Sequence, residues 1–490
     1  MAIEDIKKTK EEKIKKLREA GVNPYPAVSS RTHRIADALV KYEELKDKET
    51  VRLAGRIIAK REHGGSIFFD INDGTGKIQA YIKEDEVEGG KEIFDKFIEL
   101  IDIGDFIELT GVLRDTKRKE RTIYTASYKL LAKALLPLPE KWHGLQDVEE
   151  RYRKRYLDFI FNPESKEKIV LRSMTTEHIR QYLLAASFIE VETPTLQTLH
   201  GGANAKPFKT HLDTLDLELY LRIAPELYLK RLLVGGFDKV FEIGRVFRNE
   251  GMDREHNPEF TMLEFYAAYW DYEKMMAFTE DMIEHILKKQ FGKNYLAFEG
   301  KEIKFNKPFK RITFNDLFKE CSGLDYDVSG ESDIFAKAKE LGVEVNKAMT
   351  KGNVADEIYK KVARPNIVEP TYVINHPIEI SPLAKKLDND DKHVARFQLI
   401  VGGMEVVNGF SELNDPVDQR ERFMKQEENA RKGDYEAQRM DDDFIEALEY
   451  GMPPAAGVGI GIDRLVALFT DSHSVREVIA FPLMKPRSDQ

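Results

Sequence analysis

Apolar and polar positions change rhythm three times along this chain, and each change predicts a different kind of element. Residues 4–20 repeat apolar positions at helical spacing and stop at Gly21, and NPYP at 23–26 bars any continuation. A second helical stretch is predicted over about 34–45. From about 50 to 135 the rhythm shortens to alternation. VRLAGRIIAKR, SIFFDIND and KIQAYIK are rich in β-branched and aromatic residues, and DGTG at 73–76 supplies a hairpin turn. A helix fits 89–101, with further strands at 105–115 and 121–134. PLPEKWHG at 137–144 reads as a linker. Beyond it lie a long helical run at 164–187, several strands, and a stretch at 316–370 that leaves the strand pattern for short helices.

Five strands with a helix between the third and fourth describe an OB-fold barrel, an architecture that binds single-stranded nucleic acid. The expected fold is therefore α+β and multidomain: a helical extension over 1–49, the barrel over 50–136, a linker over 137–150, and a second domain over 151–490 with a helical insertion at 316–370.

The densest chemistry lies in RVFRNEGMDREHNPEFTMLEFY (245–266) and GVGIGIDR (457–464). The first reads as two strands joined by a charged loop. Side chains alternate between strand faces, so Arg248 and Glu250 should share a face near the end of the first strand. Phe260, Met262, Glu264 and Tyr266 should share a face of the second. A ring and a carboxylate four residues apart stand about 13 Å apart along a strand, which suits a purine at one end and a cation at the other. In the second segment Arg464 follows three alternate glycines, Gly457, Gly459 and Gly461, which leave a face bare for a flat ligand. Two converging guanidinium groups suit a polyphosphate.

Composition narrows the class. The chain has 490 residues, 42% hydrophobic and 33% charged, enough for several domains with a large core. It has no apolar run of the ~18 residues that a membrane span needs, and its N-terminus lacks a signal-like apolar segment. Cys321 is the only cysteine, which excludes an internal disulfide and a Cys-based zinc site. These features point to the cytoplasm. A net charge of −10 does not exclude RNA, because patches rather than totals meet phosphates. Residues 1–18 carry seven Lys/Arg against four Asp/Glu, and KRKER (117–121) and RYRKR (151–155) are further basic runs, each read first as a solvated face.

FRNEG…HNPEF resembles motif 2 of the class II aminoacyl-tRNA synthetases, and GVGIGIDR resembles motif 3. FIEVETPTL (188–196), with Pro194, is similar to motif 1. APELYLKRLLVGGFDKVFEIG (224–244) and NGFSELNDPVDQ (408–419) extend the likeness over nearly the whole chain, and it is closest to the bacterial-type lysine-specific members of subclass IIb. The resemblance implies a catalytic domain built on an antiparallel sheet flanked by helices. It also implies an enzyme that joins L-lysine to ATP as lysyl-adenylate and passes it to the 3′-terminal adenosine of tRNA(Lys). Arg248 then meets the α-phosphate and the amino-acid carboxylate. Glu250 and Asn257 fix the adenine end, His256 lies near the outer phosphates, Phe260 stacks on the purine, and Arg464 covers its other face and reaches the γ-phosphate. Arg248 and Arg464 are the catalytic pair. A homodimer formed through the 164–187 helix and the motif 1 strand is implied too, and HGGANAKPF (200–208) is implied to be a mobile loop over the site. No membrane or DNA partner is expected.

A lysine ammonium must be desolvated, and burying it unpaired is prohibitive, so its pocket needs carboxylates. The matching segments supply Glu226, Glu264 and Glu412. By resemblance Glu226 meets the α-amino group; Glu264, Glu412 and Tyr266 meet the ε-ammonium; Phe410 walls the stem; Gly201 and Asn408 complete the pocket. Aspartyl- and asparaginyl-type synthetases share the motifs and form the alternative, but an acidic pocket repels aspartate. The paralogue that modifies an elongation factor lacks a barrel, and catalytically dead descendants lose a motif arginine. Magnesium, one to three ions with ATP, is implied at Glu405, which also counts among the ATP contacts. The family's second glutamate is Gln398 here, a weaker ligand through its carbonyl. In the barrel Arg61, Phe68 and Gln79 match anticodon-reading positions, with Phe68 rather than Phe69 facing outward; stacking adds roughly 1–3 kcal/mol per base.

Overall fold

The computed structural model describes residues 3–139, 146–346, 349–431 and 439–487. The chain divides into two compact units, Met1–Asp147 and Val148–Gln490. Most of the stretch read as a linker, 140–144, lies outside the described residues.

In the first unit the alternating segments become strands Thr50–His63, Ser66–Asn72, Lys77–Lys83, Phe106–Asp115 and Arg121–Ala132. They close into a barrel in which the first strand pairs with both the second and the fourth, and the third runs parallel to the fifth. Strand parity decides which rings go inside: Ile67, Phe69 and Ile71 are buried, whereas Phe68 and Asp70 face outward. Helix Gly90–Leu100 buries Phe94, Phe97 and Leu100. Helix Ile3–Glu19 buries Ile14 and Leu17, and its Lys13 and Lys16 pair with Asp102 and Glu99 at 2.7 and 2.6 Å. The single helix expected at 34–45 is instead two, Ile35–Val40 and Tyr42–Leu45. Lys41 leaves helical geometry where Tyr42 is drawn into the core, its hydroxyl donating to Asp115 at 3.0 Å.

The second unit is organised by one sheet. Its strands run in the order Lys310–Thr313, Thr371–Pro377, Asp390–Val401, Met404–Ser411, Ala455–Gly461, Glu259–Ala268, Lys239–Phe247 and Ile189–Glu190. All neighbours are antiparallel except the pairs at the two edges. Leu263, Phe265, Ala267, Val458, Ile460, Val407, Phe397 and Leu399 join a core with helices Pro163–Ala185, Tyr272–Phe291 and Ile462–Phe469. The alternate residues of the same strands, Phe260, Met262, Glu264, Tyr266, Gly457, Gly459, Asn408, Phe410, Arg396 and Gln398, line a cavity on the other face. Helices cover one face, so the opposite face is left to bind.

Two expectations change here. The first strand of the charged hairpin ends at Phe247, so Arg248 and Glu250 stand in the loop beyond it rather than on a shared strand face. In the 188–196 stretch only Ile189–Glu190 joins the large sheet, and Leu196–Gln197 pairs with a separate strand, Leu217–Leu221. Pro194, which has no N–H to donate, lies between them. The insertion holds helices Phe314–Ser322, Glu331–Glu340 and Lys351–Ile358 around their own core of Phe318, Ile334, Val354 and Ile358. Among the described residues no helix is long and apolar enough to cross a membrane.

Candidate active site

The open sheet face floors a cavity of about 660 Å³. Cross-strand register sorts its residues into rows. Arg396, Phe410, Gly457 and Tyr266 form one; Gln398, Asn408, Gly459 and Glu264 form the next; Gly461 and Met262 begin a third that leads to Arg464. The first two rows make an acidic end, and the chain beyond the third makes a basic one.

At the acidic end three glutamates are taken out of water: Glu226 and Glu264 are buried, and Glu412 is wholly so. Tyr266 donates its hydroxyl to Glu264 at 2.9 Å. Burial, reinforced by the charge of Glu226, pushes the Glu264 carboxyl up to about 8, against the Tyr266 hydrogen bond and Arg248. Burial likewise raises Glu226 and Glu412 above the ordinary carboxylate range. The cation beneath them is one the sequence reading passed over. Lys230, fully buried, lies 2.6 Å from Glu226 and 2.5 Å from Glu412. Glu412 is thus joined to a resident ammonium and sits behind the cavity wall, while Glu226 and Glu264 line the cavity. Neither the i,i+4 spacing of Glu226 and Lys230 nor their helix distinguished this pair from a surface ion pair.

Glycines are required where the chain crowds this end. A side chain at Gly457 would run into the Tyr266 ring and the Glu412 carboxylate. Its bare face therefore accommodates those two residues rather than a ligand, whereas Gly459 and Gly461 meet only ordinary contacts. Gly202 has φ +85°, lies against Glu226 and Ala224, and brings Ala203 and Asn204 to the cavity rim. Gly201 packs on Leu227 and is not itself part of the lining.

At the basic end Arg248 lies 5.1 Å from the centre of the Phe260 ring, and burial lowers its guanidinium pKa from the ordinary value. Arg464 Nη2 donates to His256 Nε2 at 2.9 Å. A guanidinium only donates, so the His256 proton sits on Nδ1, which faces Asp253 at 2.8 Å. Arg464 also donates to the carbonyls of Glu405 and Glu255. Asn257 donates to the Glu259 carbonyl, while its buried Oδ1 has no partner among the described residues. Glu250 also lines the cavity. Asp463, which sequence reasoning did not single out, accepts from Arg172 at 2.6 Å and from the Thr261 amide at 2.7 Å. It thereby ties the long helix to both strands that carry the site. Arg396 was also missed; it lines the cavity and donates to Asn408 at 2.9 Å.

Gln398 is engaged on both sides. Its amide nitrogen donates to Glu405 at 2.9 Å, and its carbonyl faces His376 Nε2 at 3.1 Å. Burial holds His376 down to about 3, so it is neutral and donates through Nε2. The carbonyl proposed as a metal ligand is therefore already used. Among the described residues no group of three or more His, Cys, Asp and Glu is placed to hold a metal. The insertion, in which sequence reading found no candidate, brings Asn353, Asp356, Glu357 and Lys360 to the cavity wall. RYRKR is not a solvated basic face: Arg155 is buried on Asp158 and Arg151 pairs with the same carboxylate.

In the barrel Arg61 stands directly across from Phe68, and Phe68 from Tyr81. The rings of His63, Phe68, Tyr81 and Tyr124 form a ladder with centroid separations of 6.3, 4.7 and 5.0 Å. Gln79 accepts from the Thr122 hydroxyl at 3.0 Å.

This fold and site match a known class. Residues 147–485 fit the family of class II tRNA synthetases (D, K and N), and 51–131 fit the OB-fold nucleic acid binding domain. The chain belongs to the class II tRNA synthetases. It is 50% identical to the lysine–tRNA ligase of Carboxydothermus hydrogenoformans over 99% of both chains. It is 47% identical to that of Syntrophomonas wolfei over 100% of this chain and 98% of the relative, and 46% identical to that of Fervidobacterium nodosum over 99% and 95%.

The crowding at Gly457 yields a stability test. Gly457→Ala should lose about 1–3 kcal/mol in denaturant unfolding, as overpacked sites do. Gly459→Ala should stay within about 1 kcal/mol; equal losses would mean that Tyr266 and Glu412 do not crowd Gly457.

Proposed function

We propose that this chain is a lysine–tRNA ligase, which activates L-lysine with ATP and transfers it to the terminal adenosine of tRNA(Lys). The observation that carries this reading is the acidic end: Glu226, Glu264 and Glu412 are all buried, and the cavity that Glu226 and Glu264 line also holds Arg248 and Arg464. A ligand with a cationic tail and an α-ammonium neutralises the first, and a nucleoside polyphosphate neutralises the second. Glu226 receives the α-ammonium and Glu264 with Tyr266 the ε-ammonium, with Glu412 acting on it from behind the cavity wall; Phe410 takes the alkyl stem, and Asn408 lines the remaining wall, with Gly201 packed behind it on Leu227. Aspartate does not suit this end. Buried carboxylates repel its side chain, and the resident ammonium of Lys230 is already held by two of them.

The attacking group is the lysine carboxylate, anionic at neutral pH, so no general base is required. Rate comes from in-line positioning and from neutralising charge on the α-phosphate. Arg248 carries that second task, and its removal should cost on the order of 10²–10³ in rate. Phe260 stacks on the purine, and Glu250 and Asn257 fix its edge. Arg464, held at the guanidinium by His256 and at two carbonyls, covers the other face and reaches the outer phosphates. Glu405, which accepts from the Gln398 amide, would hold magnesium bound with ATP, and the ion would neutralise phosphate charge. In the barrel Phe68 stacks on an anticodon base, with Arg61 beside it and Gln79 at a base edge. Val170, Met174 and Leu184 on the long helix, with Ile189 and Leu196 after it, are exposed apolar groups that a second copy would cover. This chemistry belongs to the cytoplasm.

Amino-acid-dependent ATP–pyrophosphate exchange tests the assignment. Lysine alone among the twenty amino acids should support it, and Glu264→Gln should abolish it in a folded protein. Exchange driven by aspartate, or full activity in the variant, would overturn the pocket. A magnesium titration tests Gln398. Gln398→Glu should lower the magnesium needed for half-maximal exchange, and an unchanged requirement would contradict the role given to this position.

A further inference from the structure

Lys230 is a buried cation with no place in the chemistry above. It occupies the second turn of helix Glu226–Val234, four residues after Glu226, and no part of it reaches solvent. Its ammonium bridges Glu226 Oε1 at 2.6 Å and Glu412 Oε2 at 2.5 Å, two carboxylates from distant parts of the chain. The rings of Phe410 and Phe444 wall it at 5.2 and 5.9 Å. The second oxygen of Glu412 has no hydrogen-bond partner among the described residues, although the group is wholly buried.

We propose that Lys230 is a positioning residue that sets the amino-acid specificity of the pocket by bridging Glu226 and Glu412 and completing its charge balance. The proposal rests on the lysine reading given above. With lysine bound, Glu226, Glu264 and Glu412 face three ammonium groups: the resident one and the two of the ligand. Each of the three carboxylates then has an ammonium neighbour, with Arg396 acting on Glu226 from farther away. Without Lys230 the carboxylates exceed the ammonium groups by one. The surplus carboxylate takes a proton and turns from an acceptor into a donor that opposes the substrate ammonium. The bridge also sets direction, because Glu226, which lines the cavity, spends one oxygen on Lys230 and has the other left for the ligand.

A purely structural ion pair predicts something else. Buried pairs replaced as a unit by apolar groups are often tolerated, and losing one partner costs stability without selecting among ligand parameters. The discriminating readout is therefore the pH profile together with the division between KM values. The groups that face the bridge are Glu226 on its own helix, Glu264 and Tyr266 from the strand Glu259–Ala268, and Glu412 just past the strand Met404–Ser411; Arg396, Arg248 and Glu242 act from farther away. None of them is replaced in the test.

Lys230→Met keeps the length of the side chain and removes its charge. In pyrophosphate exchange by the full-length protein it should raise KM for lysine about tenfold or more, the equivalent of one pKa unit. KM for ATP should stay within about twofold. The rise of kcat/KM for lysine with pH should move to higher pH by about one unit, because carboxylates that lose a cation ionise later. Lys230→Arg, which keeps the charge, should retain the wild-type profile. A folded Lys230→Met protein with unchanged lysine KM and pH profile would overturn the proposal, as would equal losses for lysine and ATP. If the methionine variant fails to fold, the arginine variant decides: a displaced pH profile overturns the proposal and an unmoved one supports it. Failure of the lysine reading is distinguishable, because the wild-type chain would then show no lysine-dependent exchange at all.

Discussion

Charge held away from water is the constraint on which the second domain depends. Three glutamates stand buried at one end of a sheet face, and each costs several kcal/mol to desolvate unless an opposite charge comes close. The fold meets part of that cost itself through Lys230, and the raised pKa of Glu264 shows how much is left. An empty pocket of this kind favours a ligand that brings positive charge and resists one that does not. Selectivity for a cationic amino acid is thus a property of the unpaired remainder, not of any single contact.

The sheet makes this possible by dividing its two faces. Odd positions of Glu259–Ala268, such as Leu263 and Phe265, pack on the helices, and even positions meet the ligand space. Phe260, Met262, Glu264 and Tyr266 therefore stand on a strand whose reverse side is locked in the core, whereas Arg248 and Glu250 lie in the loop before it and Glu226 and Arg464 on helices. The basic end is braced in the same manner. Asp253 orients His256, His256 receives Arg464, and Asp463 fastens the long helix and the central strand together. Such bracing fixes guanidinium groups in place, which is what preorganised electrostatic catalysis needs.

Much of this was legible in the sequence because period and chemistry agreed. The barrel followed from five alternating segments; strand parity allowed only one of Phe68 and Phe69 outward, and the family resemblance chose Phe68. The residues lining the ligand face between 260 and 266 could be read from the same alternation. Long-range partnership was not readable. Lys230 looked like half of an ordinary helical ion pair, because nothing local revealed that Glu412 would arrive from a distant strand. Gln398 was open to reading as a ligand until His376 and Glu405 were found on its two sides. Arg248 and Glu250 were placed on a strand that stops at Phe247, and RYRKR passed for a surface patch although Asp158 draws Arg155 inside. Each of these residues is defined by a partner far off in sequence or by where backbone pairing ends.

The central claim is most directly tested by counting protons when lysine binds. The Glu264 carboxyl, raised to about 8 in the empty pocket, is mostly protonated at neutral pH, and an ammonium beside it draws its pKa down. Lysine binding should then release close to one proton per site near pH 7, and affinity should rise with pH up to about 8. Calorimetry in buffers of different ionisation enthalpy reads this number. Release of close to one proton, absent in Glu264→Gln, is the predicted result. Binding with no proton exchange, or with uptake, would contradict the account.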